Sequence, residues 1–158
     1  MGVNRGETVA TLAGVGKLVL TALLAVPTLL LAGCSSTTRL KFACDPQVNG
    51  GLLLTIDLVE VNQAEAEQIR QIGDQWFYSD LRRQLGLRTR TIAVRGGCAE
   101  SVELRRQKGY DVLVVISDYQ FAAADTSKGH MQVFTKDQWR GKKLLVGIHD
   151  TYLTVTER

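Results

Sequence analysis

The sequence has 158 residues, of which 19 are basic and 16 are acidic, and its formal net charge is +3. This near balance argues against nucleic-acid binding and against strong electrostatic steering of a partner. The length is sufficient for one domain of ordinary size with its own hydrophobic core.

The N-terminal segment predicts export and lipid attachment. An uncharged apolar run from Leu18 to Ala32 is followed by Gly33 and Cys34, and Pro27 interrupts it. The run is shorter than the roughly 20 residues of a membrane-spanning helix, although an uncleaved anchor helix is the alternative. Leu-Ala-Gly before the cysteine resembles a lipobox, which implies a lipoprotein signal peptide over residues 1–33 and lipidation of Cys34. Ser35 after the cysteine is compatible with the outer membrane.

Removal of residues 1–33 takes away two basic residues and one acidic residue. The remaining chain has 17 basic and 15 acidic residues, a net charge of +2. Its two other cysteines, Cys44 and Cys98, are an even number in an oxidising compartment, so we predict a disulfide between them. Two separately buried thiols are the alternative. His130 and His149 lie far apart, and no ligand spacing for a metal is present.

Residues 34–38 predict a short lipidated tether, and residues 39–158 the folded domain. The alternating pattern from Arg39 to Cys44 predicts a half-buried strand, and a second strand is predicted from Leu52 to Val61. Asp45–Gly51 between them contains Pro and two Gly, which is typical of a loop. A hairpin across this loop is the simplest connection.

The periodicity then becomes helical. Asn62 and Glu65 have the spacing of a capping box, and Gly73 weakens the helix that follows. We predict a broken helical insertion that ends near Gly86 and packs Trp76 and its neighbour Phe77 on the edge of a sheet.

Strand signals return after the insertion. The segment Tyr110–Tyr119 is apolar on both faces, which predicts a central, fully buried strand. Between Gln120 and Gly141 the signals are weak, apart from a short strand at Met131–Phe134. The other predicted strands are Thr89–Val94, Ala99–Arg106 and a final hairpin of Lys142–His149 with Thr151–Thr156. Short strands joined by frequent turns predict a mainly β, antiparallel β-sandwich.

No residue pattern indicates catalysis. There is no nucleophile motif near either histidine, so we expect a protein that is not an enzyme. Asp57 and Glu60 lie three apart on a strand and face opposite sides, which favours exposed charges over a catalytic pair. Arginines are frequent between residues 82 and 106, but acidic residues alternate with them, which favours a solvated face of mixed charge.

The order and spacing of several segments resemble one known family. They are the lipobox, Ile56–Val61, Trp76-Phe77-Tyr78, Ile92–Gly97, Ser101–Leu104, Lys143–Val146 and Thr151–Val155. Together they resemble the outer-membrane lipoproteins of type VI secretion systems, the TssJ/SciN family. The resemblance implies a transthyretin-like antiparallel β-sandwich with a short helical insertion after the second strand. It also implies a non-enzymatic scaffold, without a cofactor, on the periplasmic face of the outer membrane.

In that family the loop between the first two strands contacts the periplasmic domain of an inner-membrane secretion protein of the TssM type. By position, the resemblance assigns partner binding to Asp45, Pro46, Gln47, Val48 and Asn49. Two other functions stay open at this point. One is a periplasmic lipoprotein that binds a ligand or a cell-wall fragment, which needs a deep polar pocket. The other is an immunity-type lipoprotein, for which a more acidic, concave surface is expected.

Overall fold

Eight strands form two four-stranded sheets in the computed structural model, which describes residues 37–105, 107–120 and 129–158. The first sheet has the strand order β4-β1-β7-β8, and the second has the order β3-β2-β5-β6. The strands are β1 (Thr37–Cys44), β2 (Leu54–Val61), β3 (Thr89–Val94), β4 (Ser101–Arg105), β5 (Val112–Ser117), β6 (Met131–Phe134), β7 (Lys143–Ile148) and β8 (Leu153–Glu157). The helices are α1 (Gln63–Ile72), α2 (Asp80–Gln84) and α3 (Lys136–Trp139). Three 3-10 segments span Val48–Gly51, Gly73–Tyr78 and Gly86–Arg88.

The predicted hairpin of β1 and β2 is wrong, because the two strands lie in different sheets. β1 pairs antiparallel with β4 and parallel with β7, whereas β2 pairs antiparallel with β3 and β5. The inward side chains of both strands line the same core from opposite sides. The alternation of apolar and polar residues is therefore the same whether the two strands pair in one sheet or lie in two facing sheets. The final hairpin of β7 and β8 forms as predicted, and β5 lies between β2 and β6 with all six residues buried.

The space between the sheets is filled by one apolar cluster. Its largest fully buried members include Leu40 and Phe42 from β1, Leu54 and Ile56 from β2, and Trp139. Side chains of this size each contribute about 1.5–3 kcal/mol on burial, so this layer holds the sheets together.

The helical insertion covers the outer face of the second sheet rather than its edge, which corrects the prediction. Trp76 and Ile69 are buried there against Val59, Val114 and Ile116. The predicted capping box at the start of α1 is present, with the Glu65 amide donating to Asn62 Oδ1 at 2.9 Å. The second sheet is therefore covered on both faces.

The expectation that Asp57 and Glu60 are exposed charges is wrong, because both are buried. The Asp57 carboxylate accepts hydrogen bonds from Trp76 Nε1 at 2.9 Å, Arg82 Nε at 2.7 Å and Thr91 Oγ1 at 2.6 Å. These donors come from the insertion and from β3, so the carboxylate joins the insertion to the sheet. Its hydrogen bond with Arg82 also raises the pKa of that guanidinium.

The sandwich has two ends with different contents. We call the end where β1 starts at Thr37 the proximal end, and the end where β1 stops at Cys44 the distal end. The eight residues of β1 separate them by about 25 Å. β1 starts two residues before the domain boundary predicted at residue 39. Among the described residues, no helix is long and apolar enough to cross a bilayer.

Candidate functional site

The distal end of the sandwich is the candidate functional site. The loops that follow β1, β3, β5 and β7 meet there, and the β1–β2 loop over residues 45–53 contains the five residues predicted to bind a partner. Of these five, Asp45, Pro46 and Gln47 are exposed, whereas Val48 and Asn49 are buried. The predicted contact residues therefore divide into a surface part and a supporting part.

Asn49 fixes the path of the loop. Its φ of 52° lies in the left-handed region, which Asn tolerates better than most residues. Its amide donates to the Asp150 carbonyl at 3.0 Å, its side-chain Nδ2 donates to the Leu53 carbonyl at 3.2 Å, and its Oδ1 accepts from the Gln120 amide at 3.0 Å. Asn49 thus ties three distal loops together, while Val48 packs into the core between the sheets.

Leu52 and Leu53 are surface residues of this loop that the sequence analysis missed. They are 45% and 49% exposed, and they were included in the second predicted strand, which in the structure starts at Leu54. Since Leu54 points into the core, the alternation already placed Leu53 on the outside. Exposed apolar side chains that lie together indicate a contact surface more strongly than single ones do.

A disulfide between Cys44 and Cys98 joins the start of the β1–β2 loop to the β3–β4 loop. The Gly97 amide also donates to the Asp45 carbonyl at 3.1 Å. A Cβ atom on Gly96 would lie 1.9 Å from the Pro46 carbonyl oxygen, so only glycine permits this approach of the two loops. The β1–β2 loop is therefore held rigidly at its base.

The β7–β8 loop supports the other side of the site. His149 Nδ1 lies 3.0 Å from Asp45 Oδ2, and the His149 ring stacks on Tyr152 with 4.4 Å between ring centroids. The Tyr119 hydroxyl lies 2.7 Å from the Tyr152 carbonyl, to which it donates. Burial raises the pKa of Tyr119, and the carboxylates of Asp150 and Asp45 raise it further, so the hydroxyl stays a donor.

The described part of the distal end has an acidic surface. Asp45, Asp118 and Asp150 lie in the four distal loops, and Asp74 lies beside them after α1. Arg95 is the only arginine or lysine among the described residues of these loops. A cleft beside the helical insertion, lined by Asp74, Asp118 and His130 among others, has a volume of ≈ 130 Å³. This is well below the roughly 300 Å³ at which ligand pockets begin. Within the described ranges, no group of three His, Cys, Asp or Glu side chains could hold a metal ion.

Cys34, the predicted lipidation site, lies outside the described residues, as does residue 106 at the end of the predicted fourth strand. Lipidation of Cys34 therefore stays a prediction.

Comparison with known proteins gives matches among solved structures. No protein-family model matches the chain, and no curated protein matches it. The T6SS lipoprotein TssJ1 from Pseudomonas aeruginosa is similar with a TM-score of 0.64 and 14% identity, over 78% of this chain and 97% of that chain. Serratia marcescens Lip, a membrane-bound component of the type VI secretion system, has a TM-score of 0.57 and 16% identity, over 77% and 98%.

A third match is a chain in a structure of the T6SS protein TssM C-terminal domain (869–1107) from EAEC. It has a TM-score of 0.64 and 10% identity, over 76% of this chain and 97% of that chain. At these identities the likeness establishes the fold. The chain has the TssJ-like β-sandwich fold with a short helical insertion after β2, and the predicted fold class is confirmed.

Proposed function

We propose that this protein is a lipoprotein, anchored to the periplasmic face of the outer membrane, that docks the periplasmic domain of a TssM-type inner-membrane protein in a type VI secretion complex. One observation carries the proposal: a TssJ-like sandwich follows directly after a cysteine whose preceding residues resemble a lipobox. The match with a chain in a structure of the TssM C-terminal domain supports the choice of partner. The function needs no catalytic group.

The anchor is an acylated Cys34. Each methylene buried in the bilayer contributes about 0.8 kcal/mol, so several acyl chains make the attachment effectively permanent. Metabolic labelling with a palmitate analogue should label the wild-type protein and leave Cys34→Ser unlabelled. Label on Cys34→Ser, or none on the wild type, would contradict the anchor.

The partner contacts the exposed part of the β1–β2 loop, namely Asp45–Gln47 with Leu52 and Leu53. Val48 and Asn49 act indirectly, by holding that surface in place, because both are buried. Burial of exposed leucines in a partner surface gives favourable free energy in proportion to the apolar area removed from water. The rigid base of the loop lowers the ordering cost of binding.

The deciding experiment is a binding measurement between the purified full chain and the periplasmic domain of the TssM-type partner. Replacement of both Leu52 and Leu53 by serine should weaken binding about tenfold or more, because residues at the centre of an interface contribute most of its binding energy. Leu87→Ser is the matched control, since Leu87 is an exposed leucine at the proximal end. Equal affinity of the Leu52/Leu53 variant and wild type would overturn the assigned surface, and absence of any wild-type binding would overturn the partner.

Deletion of Asp45–Asn49 is a poorer test of the same idea. It removes Val48 from the core and the three hydrogen bonds of Asn49, so the variant would lose loop structure as well as contacts. Substitutions confined to exposed side chains separate the two effects.

A further inference from the structure

The proximal end of the sandwich has a chemical character opposite to that of the distal end. Four ion pairs between described residues lie on it, formed by Arg39–Glu103, Arg88–Glu65, Arg140–Asp111 and Lys142–Glu157. Six further cations there have no carboxylate partner among the described residues, and all six are exposed: Arg90, Arg105, Lys108, Lys136, Lys143 and Arg158. The unpaired acidic side chains among the described residues of this end are Asp137 and the buried Glu60.

An exposed leucine lies in the same region. Leu87 is fully exposed and lies in the 3-10 segment between α2 and β3, next to Arg88 and near Arg90. An apolar tip surrounded by basic side chains is the pattern of protein surfaces that touch lipid headgroups. The two ends of the sandwich differ in charge, with an excess of positive charge at the proximal end and of negative charge at the distal end. The nearly balanced net charge of the whole chain does not reveal this difference.

The length of chain before β1 limits where this surface can be. Thr37 is three residues after Cys34, so even a fully extended segment separates them by only about 11 Å. This distance is close to the screening length of about 8–10 Å in physiological salt. An acylated Cys34 would therefore hold cations at the proximal end where the charge of anionic headgroups still acts on them.

From these observations we propose that the proximal end is a second membrane contact, specific for anionic phospholipid headgroups of the leaflet that holds the anchor. The basic side chains lie on the phosphates, Leu87 enters the headgroup layer, and the acidic distal end is repelled from the surface. The sandwich then stands upright with its β1–β2 loop directed away from the bilayer. This inference rests on the anchor in the proposed function and adds an orientation to it.

The test uses the full lipidated chain in vesicles of phosphatidylethanolamine, with or without phosphatidylglycerol. A nitrobenzoxadiazole dye on Leu87→Cys should shift to the blue and brighten only with phosphatidylglycerol, and about 1 M salt should remove the change, because screening then acts over about 3 Å. The matched control is the same dye on Leu53→Cys at the distal end, whose emission should be the same in both vesicles. Replacement of both Arg105 and Lys108 by glutamine should reduce the fluorescence change of the dye at position 87, whereas Arg95→Gln should not.

The outcomes separate this inference from the anchor. Protein that floats with both vesicles but shows no lipid-dependent change at position 87 overturns the second contact and leaves the anchor intact. Equal changes at positions 87 and 53 overturn the upright orientation. Protein that floats with neither vesicle overturns the anchor and, with it, this inference.

Discussion

Replacement of Asp57 by alanine tests the buried carboxylate that joins the helical insertion to the second sheet. The substitution removes the acceptor of Trp76, Arg82 and Thr91, and it leaves the Trp76 indole N–H buried without a partner. Breaking one partner of a buried ion pair costs about 3–5 kcal/mol. Arg82 is 31% exposed and regains some hydration, so the lower part of this range applies. We expect a loss of about 3 kcal/mol in the free energy of unfolding.

The loss should be measured by urea denaturation with the disulfide intact. A change of this size moves the midpoint without changing the slope, and in a domain of this length it lowers Tm by about 10 °C. Asp80→Ala is the matched control, because Asp80 lies on the same insertion, pairs with Arg83 and is 75% exposed. Its loss should be below about 0.5 kcal/mol.

A double-mutant cycle identifies the source of the loss. Asp57→Ala and Arg82→Ala should be non-additive by about 1–3 kcal/mol, since they remove the same interaction. A loss from Asp57→Ala as small as that from Asp80→Ala would refute the reasoning, because the carboxylate would then not join the insertion to the sheet.

Three further predictions concern the distal loops and the buried acid at the proximal end. Cys98→Ser opens a disulfide that spans 54 residues and should lower stability by about 4 kcal/mol, measured by denaturation against wild type with and without reductant. Gly96→Ala places a Cβ against the Pro46 carbonyl and should cost about 1–3 kcal/mol, whereas Gly86→Ala, with open space around its Cβ, should be neutral. Burial raises the pKa of Glu60, so the folded state favours its protonated form and Glu60 destabilises the fold as pH rises through that pKa. Glu60→Gln should therefore be more stable than wild type at pH 7, and unfolding curves of the two proteins should converge below about pH 4.

Local sequence pattern predicted the elements of this fold well. The alternation in β3 and β7, the capping box at Asn62 and the doubly apolar run of β5 all depend on residues near in sequence, so periodicity reveals them. Strand pairing could not be predicted in the same way. The parallel pairing of β1 with β7 joins residues about 100 positions apart, and no local pattern distinguishes it from a β1–β2 hairpin.

The errors at charged residues have a physical explanation. Asp57 shares its strand face with Val59 and Val61. Apolar residues on the same face are a sign that the face is covered, and the prediction of exposed charges did not use this sign. A buried carboxylate needs donors, and these came from residues 19–34 positions away that the strand pattern does not include. At the distal end the resemblance assigned partner binding to the β1–β2 loop, and this assignment stays a prediction. The resemblance could not show that Val48 and Asn49 are buried and that Leu52 and Leu53 are exposed, because the burial of each side chain depends on the fold of the loop.

The position of β1 in its sheet has a mechanical consequence. It is an inner strand, bonded to β4 along one side and to β7 along the other. A tensile load entering at residue 37 would strain both ladders in shear at once, whereas an edge strand could peel away bond by bond. The time for which a folded domain withstands a tensile force depends on its rate of unfolding rather than on its equilibrium stability. The strand next to the predicted lipid is thus the part of the first sheet best suited to transmit tension.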